Sequence, residues 1–144
     1  MAERFLVGLD ESDCSSRALD FAAARAEEAG TGLLVAYVIE WSPFAFQTAE
    51  ENEVRRQRRE EEISTAREKV LDPAIERVRG RGLEVEGIVR HGNVAKVLDE
   101  LAVERGASQL VIGRIGDTGI GSMIFGSTSA KLVQMASVPI TVVP

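Results

Sequence analysis

Short apolar runs alternate along the chain with stretches in which apolar residues recur every three or four positions. The runs are bounded by charged or turn-forming residues, which predicts buried strands. There are five of them: Arg4–Leu9, Gly32–Ile39, Leu83–Arg90, Gln109–Ile112 and Ile140–Val143. The second run is apolar on both faces, as is typical of an interior parallel strand covered by helices.

Between the runs, apolar residues recur with the spacing of a helix. Ser12 and Asp13 are placed to cap a first helix that ends at Gly30. Asn93 is placed to cap a later helix, and a final helix is predicted over Ser127–Ala136. Strands that alternate with helices predict a parallel sheet with helices on both faces and right-handed connections.

The interval before the third strand contains the charged stretch Glu50–Glu62 and then an apolar stripe that reaches Gly80. The charged stretch holds more acids than bases, so it predicts a solvated helix rather than a nucleic-acid patch. Pro73 lies within the stripe and removes a backbone donor. We expect one bent helix, because the stripe keeps its phase across the proline. A break capped by Asp72 is the alternative.

The composition limits the function further. The 144 residues suit one domain over positions 1–144, and a net charge of −6 disfavours diffuse nucleic-acid binding. One cysteine, Cys14, and one histidine, His91, exclude a disulfide framework and a Cys/His zinc cluster. We expect both to be bystanders. The apolar runs are too short for membrane insertion, and the first residues do not resemble a signal peptide, which predicts a cytoplasmic protein.

Candidate binding residues follow the strands, since open α/β sheets bind ligands at the carboxyl ends of their strands. The most unusual segment is the glycine-rich stretch Gly113–Gly126 after the fourth run. Glycines let backbone N–H groups approach an anion, and the helix that follows offers free N–H donors. A plain surface loop followed by a capped helix explains the composition equally well. The aromatic segment Trp41–Phe46 either covers the end of the sheet or forms a partner surface.

The spacing Gly113-x2-Gly116-x9-Gly126-Ser127 resembles the ATP-binding signature G-2x-G-9x-G-[S/T] of the universal stress protein family. Three other segments, Val7–Ser12, Ala36–Val38 and Val138–Val143, resemble the first, second and last strand regions of that family. The resemblance covers the whole chain. It implies a five-stranded parallel sheet of order 3-2-1-4-5, a Rossmann-like fold of the adenine nucleotide alpha hydrolase-like type.

The resemblance also implies a nucleotide site. Asp10 would contact the ribose or the base edge, with a cap on the first helix as its alternative role. The backbone of Val38 would recognise adenine. Arg114 either supplies a positive charge or points to solvent. The complete set of predicted nucleotide-binding residues is Leu9, Asp10, Val38, Ile112, Gly113, Arg114, Gly116, Gly126, Ser127 and Thr128.

The function implied by the resemblance is an ATP-binding regulatory protein of the stress response. Magnesium would accompany the triphosphate, since the glycine segment lacks lysine. A slow ATPase or phosphotransferase is the alternative, but Asp117 is the only carboxylate in the segment. Order 3-2-1-4-5 leaves Ile140–Val143 at a sheet edge, which predicts a homodimer through that strand. A protein partner, which the sequence does not identify, is a separate expectation.

Overall fold

Five parallel strands form the centre of the molecule. The computed structural model describes residues 4–10, 12–40, 49–114 and 126–144. The strands are β1 (Phe5–Leu9), β2 (Leu33–Glu40), β3 (Val85–Gly92), β4 (Gln109–Gly113) and β5 (Ile140–Val143). They form one sheet of order β3-β2-β1-β4-β5, in which every neighbouring pair is parallel. The predicted fold class and strand order are confirmed, and the strand bounds differ from the predicted ones by at most two residues.

Helices connect the strands and begin where the polar pattern predicts. They are α1 (Asp13–Ala29), α2 (Ala49–Ala66), α3 (Asp72–Arg79), α4 (Val94–Glu104) and α5 (Ser127–Met135). The hydroxyl of Ser12 accepts a hydrogen bond from the N–H of Ser15 at 3.1 Å, and the side chain of Asn93 caps α4 in the same way. The predicted caps Ser12 and Asn93 are confirmed, whereas Asp13 is the first residue of α1 and not a cap.

Pro73 is accommodated by a π-helical turn over Arg67–Leu71, which joins α2 to α3. The N–H of Asp72 donates to the carbonyl of Arg67 across this turn, and the backbone of Leu71 and Asp72 stays helical. A π turn is a common device where the regular helical ladder is interrupted. The expectation that one helix continues across Pro73 is therefore confirmed, and its bend stays a prediction. A break capped by Asp72 is wrong, because no side-chain cap begins α3.

The sheet is covered on both faces, which is why its three inner strands β2, β1 and β4 are mostly apolar. Side chains alternate between the faces along each strand. The side chains of Phe5, Val7 and Val111 lie on the face of the sheet that α1 and α3 cover. Leu6 and Leu110 belong to the opposite core, with residues of α4 and α5. The two cores fix the helices against the sheet and so determine what reaches its carboxyl edge.

An ion pair joins α1 to α3 at the surface. The guanidinium of Arg77 donates two hydrogen bonds to the carboxylate of Asp20, from Nε at 2.8 Å and from Nη2 at 2.7 Å. These hydrogen bonds, with the positive charges of Arg77 and Arg81, hold the pKa of Asp20 below its ordinary value, against the opposing effect of burial. The pair is half exposed, so it fixes the position of the helices more than it stabilises the fold.

Candidate nucleotide site

A gap opens at the carboxyl edge of the sheet because β1 is shorter than its neighbour. β1 ends at Leu9, which pairs with Tyr37, whereas β2 continues to Glu40. On the other side, the pairing of β1 with β4 ends at Val7 and Val111. β2 and β4 flank β1 and lie two inter-strand spacings apart, about 10 Å. β4 ends at Gly113, which the register places level with Leu9, so β2 extends past β1 and β4 does not. The gap lies where the strand order reverses, the usual ligand position in an open α/β sheet.

Asp10 enters this gap directly after β1 and is held by the first turn of α1. Its Oδ1 accepts a hydrogen bond from the N–H of Ser12 at 2.8 Å and another from the Ser12 hydroxyl. The hydroxyl of Ser15 donates to the Asp10 carbonyl and accepts from the Asp10 N–H, both at 2.9 Å. The structure thus shows Asp10 supporting the start of a helix. Its contact with a ribose stays a prediction.

Gly113 ends β4 against the backbone of α1. A Cβ atom at this position would lie 2.8 Å from Cys14 Cβ and 2.9 Å from the carbonyl carbon of Cys14. Real Cβ atoms do not approach other carbon atoms this closely, so the position requires glycine. The first glycine of the signature is therefore explained by the packing of α1 on β4, whatever the site binds.

Arg114 holds the two ends of the glycine segment together. Its N–H donates to the carbonyl of Val143 at 2.8 Å, which extends the ladder between β4 and β5. Its carbonyl accepts hydrogen bonds from the N–H of Gly126 and the hydroxyl of Ser129, both at 2.8 Å. We call Arg114, Gly126 and Ser129 the clasp. The clasp fixes the first turn of α5 at the carboxyl end of β4. Gly116 lies outside the described residues.

The first turn of α5 presents hydrogen-bond donors at this edge. Gly126 caps the helix with φ −73° and ψ 167°, and its carbonyl accepts the first helical bond from Ala130. The N–H groups of Ser127 and Thr128 have no partner within a helix, and the helix dipole adds a partial positive charge. An anion at this position would meet both N–H groups.

Leu9, Val38 and Ile112 surround the gap with buried side chains. Each is less than a tenth exposed, and Leu9 belongs to one core while Val38 and Ile112 belong to the other. A ligand in the gap would therefore meet these residues through their backbone. Val38 is one residue beyond Tyr37, the last partner of β1, so it borders the gap.

Other chemically interesting side chains lie apart from the gap or are engaged. His91 Nε2 is 2.9 Å from Glu62 Oε2, which joins β3 to α2. The sulfur of Cys14 accepts a hydrogen bond from Arg17 at 3.1 Å. Within the described ranges, no group of three or more His, Cys, Asp and Glu residues could hold a metal ion. The Trp41–Phe46 segment lies outside those ranges.

Comparison with known proteins agrees with this geometry. The family model described as "Universal stress protein family" matches residues 1–144. The chain belongs to the universal stress protein family. The resemblance inferred from the sequence is therefore confirmed. Among curated relatives, universal stress protein YxiE of Bacillus subtilis is 30% identical over 156 aligned positions, covering 99% of both chains.

Solved structures show the same fold. Universal stress protein UspA from Lactobacillus plantarum has a TM-score of 0.83 at 20% identity, covering 99% of this chain and 98% of its own. A universal stress protein in complex with cAMP has a TM-score of 0.71 at 24% identity, with 99% and 96% covered. The Archaeoglobus fulgidus protein in complex with dAMP has a TM-score of 0.67 at 22% identity, and both chains are fully covered.

No helix in the described part of this universal stress protein is long and apolar enough to cross a membrane.

Two contributions to the site are missed by the sequence analysis. The hydroxyls of Ser15 and Ser129 are buried and bind backbone groups at the two sides of the gap. The signal for Ser15 is the pair of serines three positions apart at a helix start. The run Ser127-Thr128-Ser129 gives a weaker signal, because three adjacent hydroxyls at a cap do not show which of them faces inward.

The close approach of Gly113 to α1 leads to a stability prediction. We expect Gly113→Ala to lower the free energy of unfolding by about 1–3 kcal/mol, because the new methyl group meets the backbone of Cys14. Gly80→Ala is the matched control, since nothing lies within 4 Å of its Cβ position and its φ of −66° suits alanine. Urea unfolding compares both variants with the wild type. Equal stability of the two variants would show that the contact with Cys14 is not restrictive.

Proposed function

We propose that this universal stress protein binds ATP in the gap at the carboxyl ends of β1 and β4, and that its partners sense the bound state. One observation carries the proposal. The clasp holds the N-terminus of α5 beside the gap that the short strand β1 leaves. A helix N-terminus suited to phosphate therefore adjoins the end of the central strand at the strand-order reversal, where open α/β sheets bind their ligands.

The side of the gap next to α5 suits the phosphates of a nucleotide, and the side next to β2 suits its base. The phosphates would lie against Gly126, Ser127 and Thr128, with the exposed Arg114 as a nearby cation and Mg²⁺ bound to the triphosphate. The ribose would contact Asp10 and pass over Leu9, Ile112 and Gly113. Adenine would hydrogen-bond to the backbone of Val38. The relatives solved with cAMP and with dAMP hold adenine nucleotides, which supports the choice of base.

The proposal describes a binding protein in which hydrolysis is slow or absent. Of the described residues assigned to the site, Asp10 is the only acid, and Ser12 already donates two hydrogen bonds to its carboxylate. A general base must accept a proton from an attacking water, which a carboxylate engaged in this way does poorly. A slow ATPase in the same gap is the second candidate.

The first prediction for this function concerns Gly126. Its φ and ψ are accessible to every residue, so Gly126→Ala and Gly126→Val should both fold. We expect calorimetry to show saturable ATP binding by the wild type, weaker binding by the alanine variant and none by the valine variant. The reason is that a side chain at the helix cap blocks the approach of phosphate to the N–H groups behind it.

Two measurements accompany this experiment. Gly80→Ala serves as the control and should bind ATP like the wild type, because Gly80 ends α3 and is not a site residue. An assay for ADP in the same samples separates binding from turnover, with turnover on the order of 1–10³ per second indicating an ordinary enzyme. A wild type that shows no saturable binding at millimolar ATP would contradict the proposed function.

We also propose that two copies of the chain pair through β5. The two edges of the sheet differ in charge. On β3, Glu86 and Arg90 form ion pairs with Arg105 and Glu104, and such charges discourage pairing with another strand. β5 has the sequence Ile-Thr-Val-Val and no charged residue.

The hydrogen bonds of β5 show which of its backbone groups remain for a partner. The carbonyls of Pro139 and Val143 accept from the N–H groups of Leu110 on β4 and of Arg114, which follows β4. Because N–H and C=O directions alternate along a strand, the backbone of Ile140 and Val142 points away from β4. Two such edges related by a two-fold axis would pair antiparallel, with Ile140 opposite Val142 of the partner, and would close the assembly.

The second prediction tests this edge through one donor. Val142→Pro removes an N–H that β4 does not use, so the protomer should still fold while the dimer loses two symmetry-related hydrogen bonds. We expect monomers of this variant in light scattering. Val142→Ala is the control, because it trims the same side chain but keeps the N–H, and it should remain dimeric. A wild type that is monomeric at high micromolar concentration would rule out the dimer.

A further inference from the structure

Ser129 is a buried serine whose hydroxyl faces the base of the glycine segment. Its side chain lies in the first turn of α5, and the residue is 2% exposed. The Oγ atom is 2.8 Å from the carbonyl oxygen of Arg114 and 3.1 Å from that of Gly126. A hydroxyl has one hydrogen, so the two carbonyls share it or receive it in turn.

The two carbonyls belong to the two ends of the glycine segment. Arg114 directly follows β4, and Gly126 directly precedes α5. Apart from Ser129, one hydrogen bond joins these ends in the described part of the chain, from the Gly126 N–H to the Arg114 carbonyl at 2.8 Å. Ser129 therefore supplies the second connection, and it is the one made by a side chain.

We propose that Ser129 is a positioning residue for nucleotide binding. Its hydroxyl holds the ends of the glycine segment at the separation that directs the N–H groups of Ser127 and Thr128 into the gap. This inference rests on the proposed function. Without the hydroxyl, the ends must be ordered when the nucleotide binds, and the cost of that ordering lowers the affinity.

Burial separates this role from direct contact with the ligand. Ser127 is exposed and Thr128 is half-buried, so both are accessible to a phosphate, whereas the hydroxyl of the buried Ser129 is engaged with the carbonyls of Arg114 and Gly126. A serine that only stabilises the core would affect the free energy of unfolding. A positioning residue affects affinity as well, at temperatures where the protein is fully folded.

The test compares three variants in ATP calorimetry well below the unfolding temperature. Ser129→Ala removes the hydroxyl and should weaken ATP binding roughly five- to tenfold, the effect expected from one net hydrogen bond. Ser129→Thr keeps the hydroxyl and should restore most of the affinity. Leu132→Val is the matched control, because Leu132 is a fully buried residue of the same helix and lies in the core beneath it. It should lower stability but leave the affinity unchanged.

A second measurement, made without nucleotide, reports whether the clasp stays formed. The N–H of Gly126 donates to Arg114 in the structure, so its hydrogen exchange reports whether the ends of the segment stay together. Exchange at Gly126 should accelerate in Ser129→Ala and stay unchanged in Leu132→Val. If Ser129→Ala does not fold, Ser129→Cys takes its place, since sulfur is a weaker donor of similar size, and the same direction of change is expected in both measurements.

The outcomes are distinguishable. Wild-type protein that binds no ATP overturns the proposed function, and this inference with it. Wild-type protein that binds ATP, together with an alanine variant of unchanged affinity, overturns only the role of Ser129. A loss of affinity in Leu132→Val equal to that in Ser129→Ala would also overturn it, because general destabilisation would then explain both.

Discussion

The peptide bonds that flank Arg114 connect three parts of the molecule. The N–H of Arg114 binds β5, and its carbonyl binds the first turn of α5. The residue before it, Gly113, packs against the first turn of α1. The starts of both helices and the end of the last strand are thereby held against one end of β4. The gap owes its shape to these contacts, because they determine where the donors of α5 lie.

The gap itself results from a difference in strand length. β1 is the central strand, yet it ends at Leu9 while β2 continues for three more residues. On one side β2 extends past the end of β1, whereas on the other side the register places Gly113, the end of β4, level with Leu9. A nucleotide bound there would meet backbone donors and acceptors that the strands and α5 already hold in place, so little ordering would be required on binding.

The limits of the sequence analysis have physical reasons. Strands buried on both faces produce continuous apolar runs, so their positions are predictable within two residues. Strand order is not encoded in such local patterns, and the prediction of 3-2-1-4-5 rested on the family resemblance. The packing requirement for glycine at position 113 could not be predicted, because it depends on a contact with Cys14, which is distant in the sequence. The role of Ser129 was not predicted, because the orientation of α5 determines which of the three adjacent hydroxyl residues is buried. The nucleotide contacts of the ten site residues stay predictions.

The central claim is that an adenine nucleotide binds at the carboxyl edge of the sheet, and amide chemical shifts during an ATP titration test it most directly. The account predicts saturable shifts at Val38, Gly113 and Ser127. It predicts no shift at Gly30 and Gly106, which lie in the turns before β2 and β4 at the opposite edge. Shifts confined to the opposite edge, or none at Val38 and Ser127 under saturation, would contradict the account.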